Sequence, residues 1–286
     1  MQRPLTLIHV SDLHFVNEQS FINGLKENGK LITKRHLGWL NHKLRRQKYF
    51  NNDLKSVLIR RLLEMEWDYL IITGDITTLA LESEFELARQ ALDPLINKGK
   101  VIFTTGNHDR YVKTRPVSNL LYKYFADCWP FNQTSFQESH YSFLEISEFA
   151  VILELNMARP KSFYSSRGKL CKDLTVIKDK LKNSYKDRLK LAIGHYPAYL
   201  PPGEHEGFFH SLSGKKRLRR ILQEFDFHYY LHGHIHKSWS FKPLETYDLI
   251  CVNSGGCCRY TEGEWAGFHK ISIAPENTFV ERLHIQ

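Results

Sequence analysis

Three apolar runs separated by two helical repeats restrict this chain more than any other feature. "LTLIHV" begins at Leu5, "DYLIIT" at Asp68 and "KVIFTT" at Lys100. Between the first two lies "NNDLKSVLIRRLLEMEW", with Leu54, Val57, Leu58, Leu62 and Met65 at helical spacing and Asp53 placed to cap its start. Between the second and third lies "ESEFELARQALDPLIN", again helical. A β-α-β-α-β order of short apolar strands demands a sheet with parallel members and helices outside it.

The second half reads differently. "HYSFLEI" and "FAVILEL" are strands joined by a short polar turn, and "LKLAIGHYP" and "FHYYLHGH" flank a long loop and a basic helix near 215–223. The tail, "SWSFKPLE", "YDLICVNSGG", "WAGFHKISI" and "TFVERLHI", is expected as consecutive antiparallel strands. An α/β fold with two sheets packed face to face and helices outside accommodates this order. Residues 17–52 fit neither pattern, so the expectation is a single domain over 1–286 with a basic amphipathic insertion at about 17–52.

Composition excludes several classes. With 286 residues and 42% hydrophobic content, the chain can bury a sizeable core. No apolar run is long enough to span a bilayer, and with the first strand at Leu5 no secretory signal is expected before it. The expected location is cytoplasmic, with peripheral attachment to the inner membrane face as an extension. Five cysteines without zinc-like spacing are expected as reduced, mostly buried thiols. Lys34, Arg35, Lys43, Arg45, Arg46 and Lys48 contribute six of the net +9, with no acid among them. The basicity is therefore largely one local patch, a docking surface rather than a property of the fold.

The polar residues cluster where strands end. "IHVSDLH" closes on Asp12 and His14, "IITGD" on Asp75, and "IFTTGNHD" on Asn107, His108 and Asp109. "LAIGHYP" closes on His195 and "YLHGHIH" on His234 and His236. Ligand sites of α/β sheets lie beyond the carboxyl ends of strands, so five strand ends converge on one crevice. Carboxylate and amide oxygens with imidazole nitrogens suit manganese, iron or zinc. A carboxylate shared by two such cations would hold them about 3.5–4 Å apart, the spacing used for phosphoester hydrolysis. His232 is expected as a structural or supporting residue, and His9 as a core or pocket-wall histidine. Arg110 and Tyr111, after the third block, could reach substrate or form a solvated loop.

The ordered series D-x-H, G-D, G-N-H-D, G-H and G-H-x-H, spread over residues 12–236, resembles the calcineurin-like metallophosphoesterases. The resemblance implies a four-layer α-β-β-α sandwich of two mixed sheets and two divalent metal ions, manganese first, with iron or zinc as alternatives. It implies that Asp12, His14, Asp75 and His236 hold one metal and Asn107, His195 and His234 the other, with Asp75 bridging. His108 would stabilise or protonate the leaving oxygen, with Asp109 orienting its ring, and metal-activated hydroxide would attack phosphorus in line.

The substrate is read from additions to that site. In "TKRHLGWLNHKLRRQKYF", Leu37, Leu40 and Leu44 lie near one helical stripe with most bases elsewhere. Such a helix suits an anionic membrane surface through residues 34–50, or else packs on the domain. The segment resembles insertions in bacterial members of the family, among them the UDP-2,3-diacylglucosamine hydrolases of lipid A assembly. One branch of those carries arginine where this chain has His108, so the match is to the branch retaining G-N-H-D. The expected substrate is a phosphate-containing small molecule or lipid-linked nucleotide, cleaved at its pyrophosphate bond. A 3′,5′-cyclic-nucleotide phosphodiesterase is the alternative, and a non-catalytic scaffold of the same fold is the reading from another class. Nucleic acid is not expected, because no aromatic-interleaved stacking platform accompanies the bases. "NMARPKSFYSSRGKL" carries Arg159, Ser165, Ser166 and Arg167 and is expected either to help line the substrate pocket or to form a plain connecting loop, with Arg159 a candidate substrate residue beside Arg110.

Overall fold

The computed structural model describes residues 3–17, 19, 34–41, 44, 52–112, 115–133, 140–161, 165–259 and 266–285. β1 (Leu5–Val10) is buried from Leu7 onward, as its mostly apolar sequence requires of a strand covered on both faces. It lies between β2 (Tyr69–Ile72), parallel, and β10 (Gly267–Ile273), antiparallel. β3 (Lys100–Phe103) extends the parallel side and β11 (Thr278–His284) the antiparallel side, giving the order β11-β10-β1-β2-β3. The helices between these strands are α2 (Asn52–Glu64) and α3 (Glu82–Lys98), as the periodicity predicts. α1 (Lys34–Asn41) lies in the insertion.

The second sheet has six strands in the order β4-β5-β6-β7-β9-β8. β4 (Tyr141–Glu145) and β5 (Ala150–Leu155) form the expected hairpin, while β5, β6 (Leu189–Ile193), β7 (Phe227–His232) and β9 (Ile250–Ser254) run parallel. β8 (Ser238–Phe241) closes the edge antiparallel to β9.

The tail therefore departs from the expected run of consecutive antiparallel strands. β8 and β9 pair with each other, but β9 sits parallel to β7, and the β10–β11 hairpin crosses to the first sheet beside β1. Each of these strands puts one face between the sheets, Ile271 and Ile273 of β10 and Val252 of β9, and the other outward, Phe268 and Cys251, so their local patterns do not distinguish the two sheets.

Three apolar clusters define four layers. One lies between the sheets and contains Leu7, Ile71, Ile152, Ile193, Leu231 and Val252. Another packs Ile8, Leu70 and Phe103 against α2, α3 and α4 (Arg115–Phe125) through Leu58, Phe85 and Phe125. The third packs Leu153, Ala192 and Tyr230 against α5 (Thr175–Asn183) and α6 (Lys215–Glu224) through Ile177, Leu218 and Leu222. This is the expected two-sheet sandwich with helices outside. Neither α4 nor α5 is marked in the sequence. α5 buries only Ile177 and Leu181, too few positions to show a period.

All five cysteines are free thiols. Among the described residues, no helix is long and apolar enough to cross a membrane.

Two strand-end side chains tie the sheets together. Thr104 donates its hydroxyl to Glu154 at 2.7 Å and Thr105 donates to Asn156 at 2.7 Å. Glu154 is fully buried, and burial pushes its carboxyl up to about 8 from an ordinary value of 4.5. A folded-state value above the unfolded one gives a contribution that is complete below about pH 4.5 and lost as pH rises through about 8. Glu154→Gln should therefore match the parent at pH 5 and melt several degrees higher at pH 9. Thermal melts at the two values check this, and identical pH slopes would refute the assignment.

Candidate metal centre

The carboxyl ends of β1, β2, β3, β6 and β7 meet at one edge of the sandwich. After β1 and β2 the chain zips residues 12–15 onto 74–76: Asp12 donates its amide to the Gly74 carbonyl at 3.0 Å and His14 to Asp75 at 3.0 Å. Gly233 is tied the same way to the His195 carbonyl at 3.1 Å. These bonds hold an unfavourable backbone. Asp12 (φ 57°), His14 (49°), Asp75 (52°), His234 (77°) and His236 (55°) all adopt the left-handed region. Non-glycine residues there cost roughly 1–3 kcal/mol each and persist where surrounding structure enforces them for a purpose.

The purpose is visible in what the side chains face. Asp12, His14, Asp75 and His236 each offer a ligand atom within 4.8 Å of the others'. His14 donates Nδ1–H to the Thr77 carbonyl at 3.2 Å, which leaves its Nε2 a bare acceptor, 3.0 Å from Nε2 of His236. Next to this group, His195 donates Nδ1–H to the Thr73 carbonyl at 2.8 Å, and His234 donates Nε2–H to the His210 carbonyl at 3.0 Å. Their free nitrogens then face Asn107 Oδ1 at 3.1 and 2.9 Å and each other at 3.3 Å. Asp75 Oδ2 lies 3.9 Å from His14 Nε2 and 3.3 Å from His195 Nε2, so it faces both groups.

Lone pairs pointed at lone pairs repel unless a cation or proton lies between them. Carbonyls that fix each ring's tautomer are the usual support of metal-ligating histidines. The residues fit divalent metal ions on this ground.

Electrostatics agree. Burial opposes ionisation of Asp12, but hydrogen bonding and attraction from His236 outweigh it and hold the carboxyl well below its usual range. Burial likewise opposes Asp75, and the neighbouring charges of His195 and His108 override it. Burial would lower His195, yet Asp75 raises it to about 9.

A cleft of about 410 Å³ opens over these groups, lined also by Lys34, Tyr111, Ser165, Ser166 and Glu206. His108 lines it too, edge-on to His14 and stacked on Tyr111. Its Nδ1 donates to the Thr78 carbonyl at 2.5 Å. That is the orienting role expected of Asp109, and it requires correction. The Asp109 carboxylate instead accepts from the Thr77 amide at 3.0 Å, the Thr77 hydroxyl at 3.1 Å and the Gly106 amide at 2.9 Å. It braces the Gly106–Asp109 turn against the strand end that carries Asp75, and burial beside Asp75 raises it to about 7.

Neither substrate candidate lines the cleft. Arg110 is largely buried with its Nε unpartnered, and Arg159 lines a separate cavity. His232 is buried against Tyr230 and Trp239, and burial lowers it to about 4. His9 is a core histidine bonded to Thr73 and Ser254.

Of the basic stretch 34–50, residues 42, 43 and 45–50 lie outside those described. α1 packs beside the cleft: Arg35 donates to the Leu79 and Ala80 carbonyls, and Lys34 sits 4.4 Å over the Tyr111 ring. Ser165 and Ser166, from the stretch expected to line the pocket, and Lys34 of the basic segment do line the cleft, while Glu206 carries no motif and only the fold brings it there.

The profile of the calcineurin-like phosphoesterases matches residues 5–238. The chain belongs to that family. Like other calcineurin-like phosphoesterases, it is a metal-dependent phosphoester hydrolase. Solved structures agree in fold at low identity. A dimetal phosphatase from Danio rerio superposes with a TM-score of 0.65 at 12% identity, covering 99% of this chain and 98% of that one. The purple acid phosphatase PPD1 of yellow lupin (Lupinus luteus) seeds gives 0.61 at 12%, covering 99% and 52%. A 5′-nucleotidase from Candida albicans gives 0.51 at 13%, covering 100% and 52%. No curated protein matches by sequence.

Proposed function

We propose that Asp12, His14, Asp75 and His236 hold one divalent cation, and that Asn107, His195 and His234 hold a second, with Asp75 shared. Bound there, manganese or a similar ion would activate water and neutralise phosphoryl charge. The chain's own groups do the rest. The carbonyls of Thr73, Thr77 and His210 fix three imidazole tautomers. His108, with Nδ1–H committed to Thr78, would use Nε2 to stabilise or protonate the leaving oxygen. Lys34, which burial lowers to about 8, offers its ammonium to a second phosphate at the cleft wall.

The substrate this site fits best is a lipid-linked nucleotide with a pyrophosphate bond, UDP-2,3-diacylglucosamine being the leading case, met at the inner membrane surface. The observation that carries this is apolar exposure beside a polar cleft. Phe208 and Phe209, 68% and 56% exposed, follow Gly207 of the cleft wall. Leu40 and Leu44, 47% and 71% exposed, lie on or just past the helix whose Lys34 lines it. Acyl chains would cover such residues, at about 25 cal/mol per Å² of apolar surface removed from water.

Leu40→Ser combined with Leu44→Ser should raise KM for UDP-2,3-diacylglucosamine about tenfold and leave cyclic AMP hydrolysis, if any, unchanged. Steady-state kinetics on both substrates check it. Turnover of cyclic AMP alone, or equal losses on both, would remove the lipid reading.

A further inference from the structure

The described residues between Arg159 and Lys172 have two sides. Ser165 and Ser166 face the metal cleft. On the other side is a separate cavity of about 490 Å³, lined by His140, Arg159, Lys161, Lys169 and Lys172, with no carboxylate among the described residues of its wall. We propose that this cavity is a second anion site, built to hold a phosphoryl group away from the metals.

Charge and geometry carry the proposal together. Among the described residues, none of Arg159, Lys161, Lys169 and Lys172 forms an ion pair. Arg159 is not a loose surface side chain. Its Nη1 donates to the Ala158 carbonyl at 2.6 Å and to Asn156 Oδ1 at 3.3 Å, and Asn156 is itself fixed by Thr105. The guanidinium is thereby aimed, and its other donors have no partner among the described residues.

Burial is the largest burden on Arg159 and repulsion from Arg110 adds to it, whereas Arg110, also opposed first by burial, is attracted by Tyr122, Glu154 and Asp109. Both arginines also act on His140, where burial again comes first. The one carboxylate that feels both arginines, Glu154, is raised to about 8 by burial and so compensates little near neutrality. Basic side chains with no carboxylate partner among the described residues make a positive field around a concave wall, and a guanidinium fork with ammonium groups matches a phosphate's oxygens.

The site also communicates with the chemistry. Asn156, which aims Arg159, is bonded to Thr105, two residues before Asn107. The Lys161 carbonyl accepts from Lys34 of the cleft wall at 3.5 Å. Either a remote phosphate of the substrate or free phosphate could supply the group.

The test is calorimetric titration of the metal-loaded full chain with inorganic phosphate at low salt. Two binding events are expected, and one should persist in Asn107→Ala, so that failure of the metal assignment is read separately. Lys169→Gln with Lys172→Gln, both exposed side chains, should weaken that persisting event at least tenfold. Arg159→Gln should do the same, with circular dichroism confirming the fold. If the group belongs to the substrate, the double variant also raises KM for a pyrophosphate diester more than for bis(p-nitrophenyl) phosphate. If free phosphate occupies the cavity, the two KM values change alike. A single binding event in the parent, or isotherms unchanged in both variants, overturns the proposal.

Discussion

Asp75→Asn should lower hydrolysis of bis(p-nitrophenyl) phosphate by roughly a thousandfold, the loss expected when several kcal/mol of metal-derived stabilisation disappears. The substitution keeps the side chain's size. It keeps an oxygen for the His108 amide, which donates to Asp75 Oδ1 at 2.7 Å. What it removes is the negative charge that faces His14 on one side and His195 on the other. Elemental analysis should show metal content falling together with turnover, and a chelator should bring the parent enzyme to the level of the variant. Full activity in Asp75→Asn, with metal content unchanged, would refute the shared-carboxylate assignment.

Gly106→Ala should be nearly as damaging, for a steric reason. The added methyl would fall on the backbone nitrogen and the carboxylate of Asp75, and neither can yield. The Asp75 amide belongs to a backbone already in the left-handed region, and the segment is zipped to residues 12–15. Relief can come only from displacing the turn that carries Asn107 and His108. A loss of at least a hundredfold in kcat is expected, since misplacement by about 1 Å costs that much. A melting temperature within a few degrees of the parent would locate the damage in the site. Near-normal kcat would show that the turn tolerates the displacement and that the close approach is dispensable.

The outline of the site was legible because its chemistry is written at strand ends. A strand ending in D-x-H or G-H-x-H declares both the ligand type and the edge of the sheet where it must lie. Asp109 shows the limit of that reasoning. It is adjacent to His108 in the chain, which suggests a partnership, yet the left-handed turn at Asp75 delivers the Thr77 amide and hydroxyl to its carboxylate first. Arg159 shows the same limit in reverse. It follows a strand end on the correct edge, but its side chain faces a different cavity from that of Ser165 and Ser166 six residues on.

Local pattern by itself determined that β1, β2 and β3 run parallel under two helices, that five strand ends supply Asp, Asn and His, and that the bases gather near residue 34. Only the tertiary structure decided that the β10–β11 hairpin leaves the sheet of β9 to pair with β1, and which carbonyl orients each imidazole. Only it placed Glu206 on the cleft wall. The physical reason is range. Strand and helix periods are set by neighbours a few residues apart, whereas sheet membership and site walls depend on which distant apolar faces bury one another.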